Sequence, residues 1–237
     1  MLYFAFLLLS TLAMYQLDSD PSKVILSLLN ILLMVVPLVS IVFTTIHFYN
    51  SYEFMELMLA QPVNRRTVFL GQYAGIAVSL SLAFLAGVGI PLVFYGADAA
   101  GITLLYSGVL LTLVFVSLAF LASVMTRDKA KAIGIALLIW FYCALIYDAL
   151  LLWVIYNFGE YPLEKPLLAL ISLNPVDLAR VMMLLKLDIS ALMGYTGAFY
   201  KSFFGSNAGI LFSISVLMLW IAVPLMAALR IFNKKDI

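Results

Sequence analysis

An all-α polytopic membrane protein is the fold class this sequence predicts, and three observations lead there. First, 65% of its 237 residues are hydrophobic and only 11% are charged, whereas soluble domains run near half apolar and about a quarter charged. Second, the mean hydropathy is +1.14, and the apolar residues gather into runs long enough to cross a hydrocarbon core of about 30 Å. Third, at roughly 20 residues per crossing the length accommodates about six spans with loops between them. Cys143 is the only cysteine and lies inside an apolar run, which excludes an intrachain disulfide and a zinc cluster made by this chain alone. A net charge of +1 gives no sign of a nucleic-acid partner.

Apolar runs read against their polar breaks place six transmembrane helices near 1–17, 24–49, 67–95, 102–125, 133–157 and 209–229. Together they make one transmembrane domain over 1–237, with an extracytoplasmic amphipathic segment at 158–208. A signal peptide is the rival reading of the first run. No Lys or Arg precedes that run and no small-residue cleavage site follows it cleanly, so it reads as a span. The chain enters this run at Met1, so either the first helix begins bare or the native start lies upstream.

Six crossings put both termini on one side. Arg65 and Arg66, then Arg127, Lys129 and Lys131, then Arg230, Lys234 and Lys235 fall on that side. The short loops opposite offer only Lys23, beside Asp18 and Asp20, and Asp98 without a cation. The excess of Lys and Arg makes the first side cytoplasmic, both termini included. Lys165, Arg180, Lys186 and Lys201 lie in the long 158–208 segment, and long loops weigh little in this rule.

Between the second and third spans the stretch YEFMELMLAQPVNRR, residues 52–66, collects charge that the rest of the chain avoids. Asn50 is placed to cap a helix whose third position is Glu53, and Pro62 would stop that helix about three turns later. The spacing predicts a short cytoplasmic helix over 51–61, with Phe54, Leu57 and Met58 on one face and Glu53 and Glu56 on the other. Gln61, Asn64, Arg65 and Arg66 form a polar turn before a span that begins at Thr67. Two readings fit. The helix rests on lipid headgroups, with Arg65 and Arg66 drawn to anionic lipid, or it docks a cytoplasmic protein, since Glu53 and Glu56 gain nothing from an anionic membrane surface.

Residues 55–75, MELMLAQPVNRRTVFLGQYAG, resemble the permease subunits of type-2 ABC transporters. In that family an apolar span, a short coupling helix and a Pro-Val-x-Arg turn precede the third span. Glu56 matches the acid six residues before the Pro; Pro62, Val63 and Arg65 match the turn, followed by Gly71 and Gly75. Phe54 and Met55 stand where the family commonly has Gly-Thr. SLNPVDLARVMMLLKL, residues 172–187, with the Tyr147–Asp148 pair of the fifth span, looks most like the NosY branch, whose permeases serve nitrous oxide reductase maturation. The resemblance covers nearly the whole chain, apart from the family's elbow helix before the first span.

The resemblance implies a multi-pass permease of the bacterial inner membrane, paired with a second copy of itself and driven by a cytoplasmic ABC ATPase. A periplasmic β-helix protein is a further implied partner, and a copper- or sulfur-related species the implied cargo. ATP and Mg would be bound by the partner ATPase. The chain's own G-x-x-x-x-G, Gly96 to Gly101, runs on into Ile102 and Thr103 and lacks the Lys of a phosphate-binding loop. Glu53, Glu56, Pro62, Arg65 and Arg66 would then couple to the ATPase. Arg127, Asp128 and Lys129, in the TRDKAK turn at 126–131, are a second docking candidate or a plain solvated turn. A general exporter of lipid, peptide or drug stays open beside the maturation role, as does an anchor that transmits force without passing substrate. No HExxH, GxSxG or pair of intramembrane Asp points to an enzyme.

Asp148 is the acid well inside a span, about ten residues or 15 Å from its outer end. No Lys or Arg lies in the six spans to neutralise it. It serves a polar pathway or gate with Tyr147, or it is a protonated acid bonded to Tyr142, Tyr147 or backbone. In the outer segment Asn174 caps a helix running to about Lys186, with Pro175 first and Asp177 third. Val176, Val181, Leu184 and Leu185 against Asp177, Arg180 and Lys186 place that helix in the outer interface. There it plugs the permease or seats a periplasmic partner through Asn174, Pro175, Asp177 and Arg180. Met182, Met183 and Met193 read as apolar filler rather than Cu(I) ligands, and His47 as a headgroup contact. Gly71 with Gly75, and Ala83 with Gly87, allow close helix approach and a possible dimer seam.

Overall fold

The computed structural model describes residues 1–18, 20–95, 99–158, 164–184 and 207–234, and all regular structure among them is helical. The first run forms α1, Leu2–Leu17. At 16 residues it rises about 24 Å, less than the hydrocarbon thickness. Five helices are long and apolar enough to cross: Pro21–Asn50, Arg65–Tyr95, Ala99–Met125, Lys129–Phe158 and Gly209–Lys234. A sixth crossing by length alone would come from a bent pair in the 158–208 segment.

Helix α2, Pro21–Asn50, starts where Asp20 accepts from the Ser22 N–H, with Pro at the first position. It stays helical through Asn50, so Asn50 is not the cap expected from the sequence. Ser51 takes that place without a side-chain bond, and the short helix α3 runs Tyr52–Leu59. The next helix begins two residues earlier than expected. Asn64 caps α4, Arg65–Phe84, by accepting from the Arg66 N–H at 3.1 Å, so Arg65 and Arg66 are the first helical residues and not a turn.

Two crossings contain a π-helical turn. Leu85–Gly89 separates α4 from α5, Ile90–Tyr95, and Tyr142–Ile146 separates α7, Lys129–Phe141, from α8, Tyr147–Phe158. Such turns bulge one residue outward and often mark functional positions. Helix α1 crosses the first of them at Gly87, where an added Cβ would lie 2.8 Å from Leu7 Cβ and 3.2 Å from the Phe4 carbonyl. Small residues therefore set this contact, as expected between helices that gain little from burying apolar surface in lipid. Gly71 and Gly75 behave differently, because nothing within the described residues approaches them.

Helix α6, Ala99–Met125, is the central element, packed by α2, α4, α10 (Pro175–Leu184) and the last helix α11, Asn207–Lys234. Phe120 is its hub at the end of the bundle that carries α3. Phe48, Phe69 and Tyr73 meet Phe120 edge-on at 5.5, 5.2 and 5.6 Å between ring centroids, the geometry aromatic pairs favour. Met55 of α3 is buried against this cluster, and Tyr52, Met58 and Leu59 are partly buried there. The expected apolar face of α3 is thus corrected: Phe54 and Leu57 are 60% and 68% exposed, because the packed side is the one that meets Phe48, Val68 and Phe69.

The described part of 158–208 forms α9, Glu164–Ser172, and α10, Pro175–Leu184, bent by 115° at Leu173–Asn174. Helix α10 does not lie on a surface, as its amphipathic pattern suggested. Pro175, Val176, Asp177, Leu178, Ala179, Met182 and Met183 are all buried against α6, α11 and α2. Its polar residues find protein partners, which removes their need for water. Met182 and Met183 serve as core packing, while Lys186, Met193 and the aromatic Gly-rich stretch at 194–206 lie outside the described residues.

Candidate functional site

Two polar constellations stand out, one at each end of the bundle. The first is an open cleft of about 610 Å³ at the α3 end. Its acidic wall is Glu53 and Glu56 of α3, and its basic wall is Arg127 and Lys129 at the start of α7, with Phe48, Tyr49, Tyr52 and Phe232 between them. The structure thus joins the two stretches that the sequence offered as separate docking candidates.

Local chemistry fixes the walls. Lys129 Nζ donates to Asn50 Oδ1 at 2.7 Å, which gives Asn50 a role its expected cap did not. Tyr49 Oη lies 2.8 Å from Thr126 Oγ1 and donates to the Ser123 carbonyl at 3.2 Å, tying the end of α2 to the end of α6. Asp128 faces its own helix, accepting from the N–H groups of Ala130 at 2.7 Å and Lys131 at 3.1 Å as the cap of α7. Pro62 is exposed in the turn after α3, and Arg65 and Arg66 begin α4 outside the cleft lining. His47 is exposed and lies 3.3 Å from Ser51 Oγ.

At the opposite end the residues expected of a gate and of a docking helix form one network. Arg180 Nη1 donates to Asp148 Oδ1 at 2.6 Å and lies 3.3 Å from Asp177 Oδ1. This corrects the view of Asp148 as an acid without a cation: the guanidinium comes from α10, which enters the bundle. Asn174 Nδ2 donates both to Asp177 Oδ2 and to the Cys143 carbonyl, each at 2.8 Å, while its Oδ1 accepts from the Val176 N–H at 3.2 Å. The cap read from Asn174, Pro175 and Asp177 is therefore present. Tyr147 Oη bonds not to Asp148 but to the Leu170 carbonyl, at 2.6 Å. With Asn174, Pro175 and Asp177 buried, this end offers little of that set to an outside protein.

The electrostatics of the network are lopsided. One guanidinium faces two carboxylates, and the side chains of Arg180 and Asp148 are each 30% exposed while that of Asp177 is 4% exposed. A buried acid of this kind is tolerated because its oxygens are bonded, one to Asn174 and one near Arg180. The π-helical turn matters here, since it places the Cys143 carbonyl within reach of Asn174.

The comparisons agree with this architecture. A family model described as ABC-2 family transporter protein matches residues 4–237. The chain belongs to the ABC-2 transporter family. Two curated relatives are both described as a probable ABC transporter permease protein NosY. The protein from Stutzerimonas stutzeri is 28% identical over 194 residues, covering 76% of this chain and 68% of the relative. The protein from Pseudomonas aeruginosa is 32% identical over 148 residues, covering 58% of this chain and 54% of the relative. Family membership makes this an ABC transporter permease and implies an ABC ATPase as its partner.

Sequence reasoning missed Tyr49 and Phe232 as parts of the cleft, Asn50 as the partner of Lys129, and Cys143 as the carbonyl that receives Asn174. Only local motifs were readable there; each of these contacts is made across the bundle.

Proposed function

We propose that this chain is the transmembrane permease subunit of an exporter, working as a pair of identical copies in the bacterial inner membrane. A separate cytoplasmic ABC ATPase, which carries ATP and Mg, drives transport or conformational work through it. The α3 end faces the cytoplasm, because Arg65, Arg66, Arg127, Lys129 and Lys131 gather there.

The observation that carries this reading is the two-walled cleft. Its exposed carboxylates and ammonium and guanidinium groups flank an aromatic floor, and a lipid surface of one charge sign cannot satisfy both walls. A protein surface can. Glu53, Glu56, Arg127 and Lys129 would make the contact; Pro62, Arg65 and Arg66 would fix where α3 stands relative to α4.

The specific task we propose is maturation of nitrous oxide reductase, with a copper- or sulfur-related cargo and a periplasmic β-helix protein as an added partner. The resemblance at 172–187 and the NosY-named relatives support it. A second reading, conformational work passed to a periplasmic partner without any cargo, is favoured by the ion network: Asp148 is closed off by Arg180 and opens no polar route by itself. Purification from native membranes in mild detergent tests these readings. An ABC ATPase together with a β-helix protein supports maturation, an ATPase alone supports a general exporter, and no ATPase removes the coupling role of the cleft.

A further inference from the structure

We propose that α8 is a hinged outer arm, latched to the fixed α9–α10 hairpin by Arg180, and that Asp177 receives Arg180 when the arm swings away. The inference adds a gate to the permease reading, but it rests on the hairpin end alone and can fail while that reading stands.

The two sides of the latch are held by different forces. Helix α10 is seated by apolar packing, with Val176, Leu178, Ala179, Met182 and Met183 buried against α6, α11 and α2. Trp220 Nε1 also donates to the Ser172 carbonyl at 3.1 Å, pinning the corner to α11. Helix α8 has little of this. Of its residues only Tyr147 and Leu151 are buried, and Leu152, Trp153 and Tyr156 are largely exposed. Among the described residues, side-chain bonds that join it to the hairpin include Arg180 to Asp148 and Tyr147 to the Leu170 carbonyl, with Asn174 to the Cys143 carbonyl just before it and Asp148 also beside Asp177. Packing interfaces of this sort resist sliding, whereas a few directional bonds can break and re-form. The π-helical turn at Tyr142–Ile146 supplies the hinge, since the α-helical bond ladder is already interrupted there.

The second carboxylate explains how the latch can open. Stranding a guanidinium at this depth without a partner would be strongly unfavourable. Arg180 avoids that: Asp177, one turn away on the same helix, already stands 3.3 Å from Nη1 and is itself oriented by Asn174. When α8 carries Asp148 away, Arg180 closes on Asp177 and remains paired. Release therefore exchanges one carboxylate for another, and the barrier to opening falls.

Amide hydrogen exchange on the full-length protein in lipid nanodiscs tests the latch without any ATPase or cargo. In Asp148→Asn, amides of 147–158 should exchange about tenfold faster or more than in wild type, while those of 175–184 keep wild-type protection. In Asp177→Asn, where Arg180 has no second carboxylate to receive its charge, amides of 147–158 should exchange no faster than in wild type. Arg180→Lys keeps the charge but loses the forked geometry that reaches both acids. It should raise exchange in 147–158 in the same direction, and it stands in if Asp148→Asn fails to fold. Unchanged exchange in 147–158 in both Asp148→Asn and Arg180→Lys would overturn the latch. Equal loss of protection in 147–158 and 175–184 would also overturn it, since the pair would then only hold the fold together.

Discussion

Lys129 Nζ sits 2.7 Å from Asn50 Oδ1, so the first residue of α7 holds the last residue of α2 across 79 positions of sequence. That bond ties Lys129 of the basic wall to the end of α2, from which α3 and its acidic wall continue. The groups are exposed, and an exposed bond of this kind contributes little to stability, within about 1 kcal/mol. Lys129→Met should therefore leave expression and thermal stability nearly unchanged while lowering ATP hydrolysis by the assembled complex several-fold. Equal activity in the variant would detach this bond from coupling.

Glu56 is an exposed residue of the cleft wall, and the packing of α3 at this point is made by its buried neighbour Met55. Reversal of its charge should be silent in folding and loud in coupling. The expected result for Glu56→Arg is normal membrane insertion with loss of ATPase co-purification or of stimulated hydrolysis. Failed insertion would give Glu56 a folding role instead.

Asn174 is almost fully buried, and its amide donates to both Asp177 and Cys143. Truncation leaves a buried carboxylate short of a donor and removes a helix cap. Asn174→Ala should cost about 2–4 kcal/mol from these two effects together, seen as a lowered melting temperature in detergent. Asn174→Asp should be worse, because it sets a third acid beside Asp148 and Asp177, which already share the Arg180 guanidinium. A stability order with Asp above Ala would contradict the network as described.

The glycines separate packing inside the chain from packing between copies. Gly87→Ala forces a Cβ to 2.8 Å from Leu7 Cβ and 3.2 Å from the Phe4 carbonyl, and backbone cannot easily give way. About 1–3 kcal/mol of destabilisation is expected. Gly71→Ala and Gly75→Ala meet no described residue within 4 Å, so the monomer should tolerate them. A shift from dimer to monomer in size-exclusion chromatography with either variant would assign that face to the second copy; no shift would leave it to lipid.

Sequence periodicity located the long helices well, because a run such as 102–125 has one solution in a membrane. Local capping chemistry was legible where the residues bond within one turn, as at Asn174 and Asp177. Asn50 failed for a physical reason: a residue can cap α3 only if it leaves the helical conformation, and α2 carries Asn50 to its last helical position. The amphipathic pattern of α10 was also misleading. Asp177 and Arg180 signal water when taken alone, yet Asn174 and Asp148 satisfy them inside the bundle. Asp148 and Arg180 lie 32 residues apart, and nothing in either local stretch announces the other. The same holds for Tyr49 with Thr126.

The central claim is that a water-soluble ATPase grips the cleft between α3 and the start of α7. Replacing Glu56 by a photo-crosslinking amino acid in native membranes tests it most directly. The account predicts a covalent adduct whose partner is an ABC ATPase, absent when the crosslinker stands at Trp153 on the exposed side of α8. Adducts at position 56 with lipid alone would contradict it.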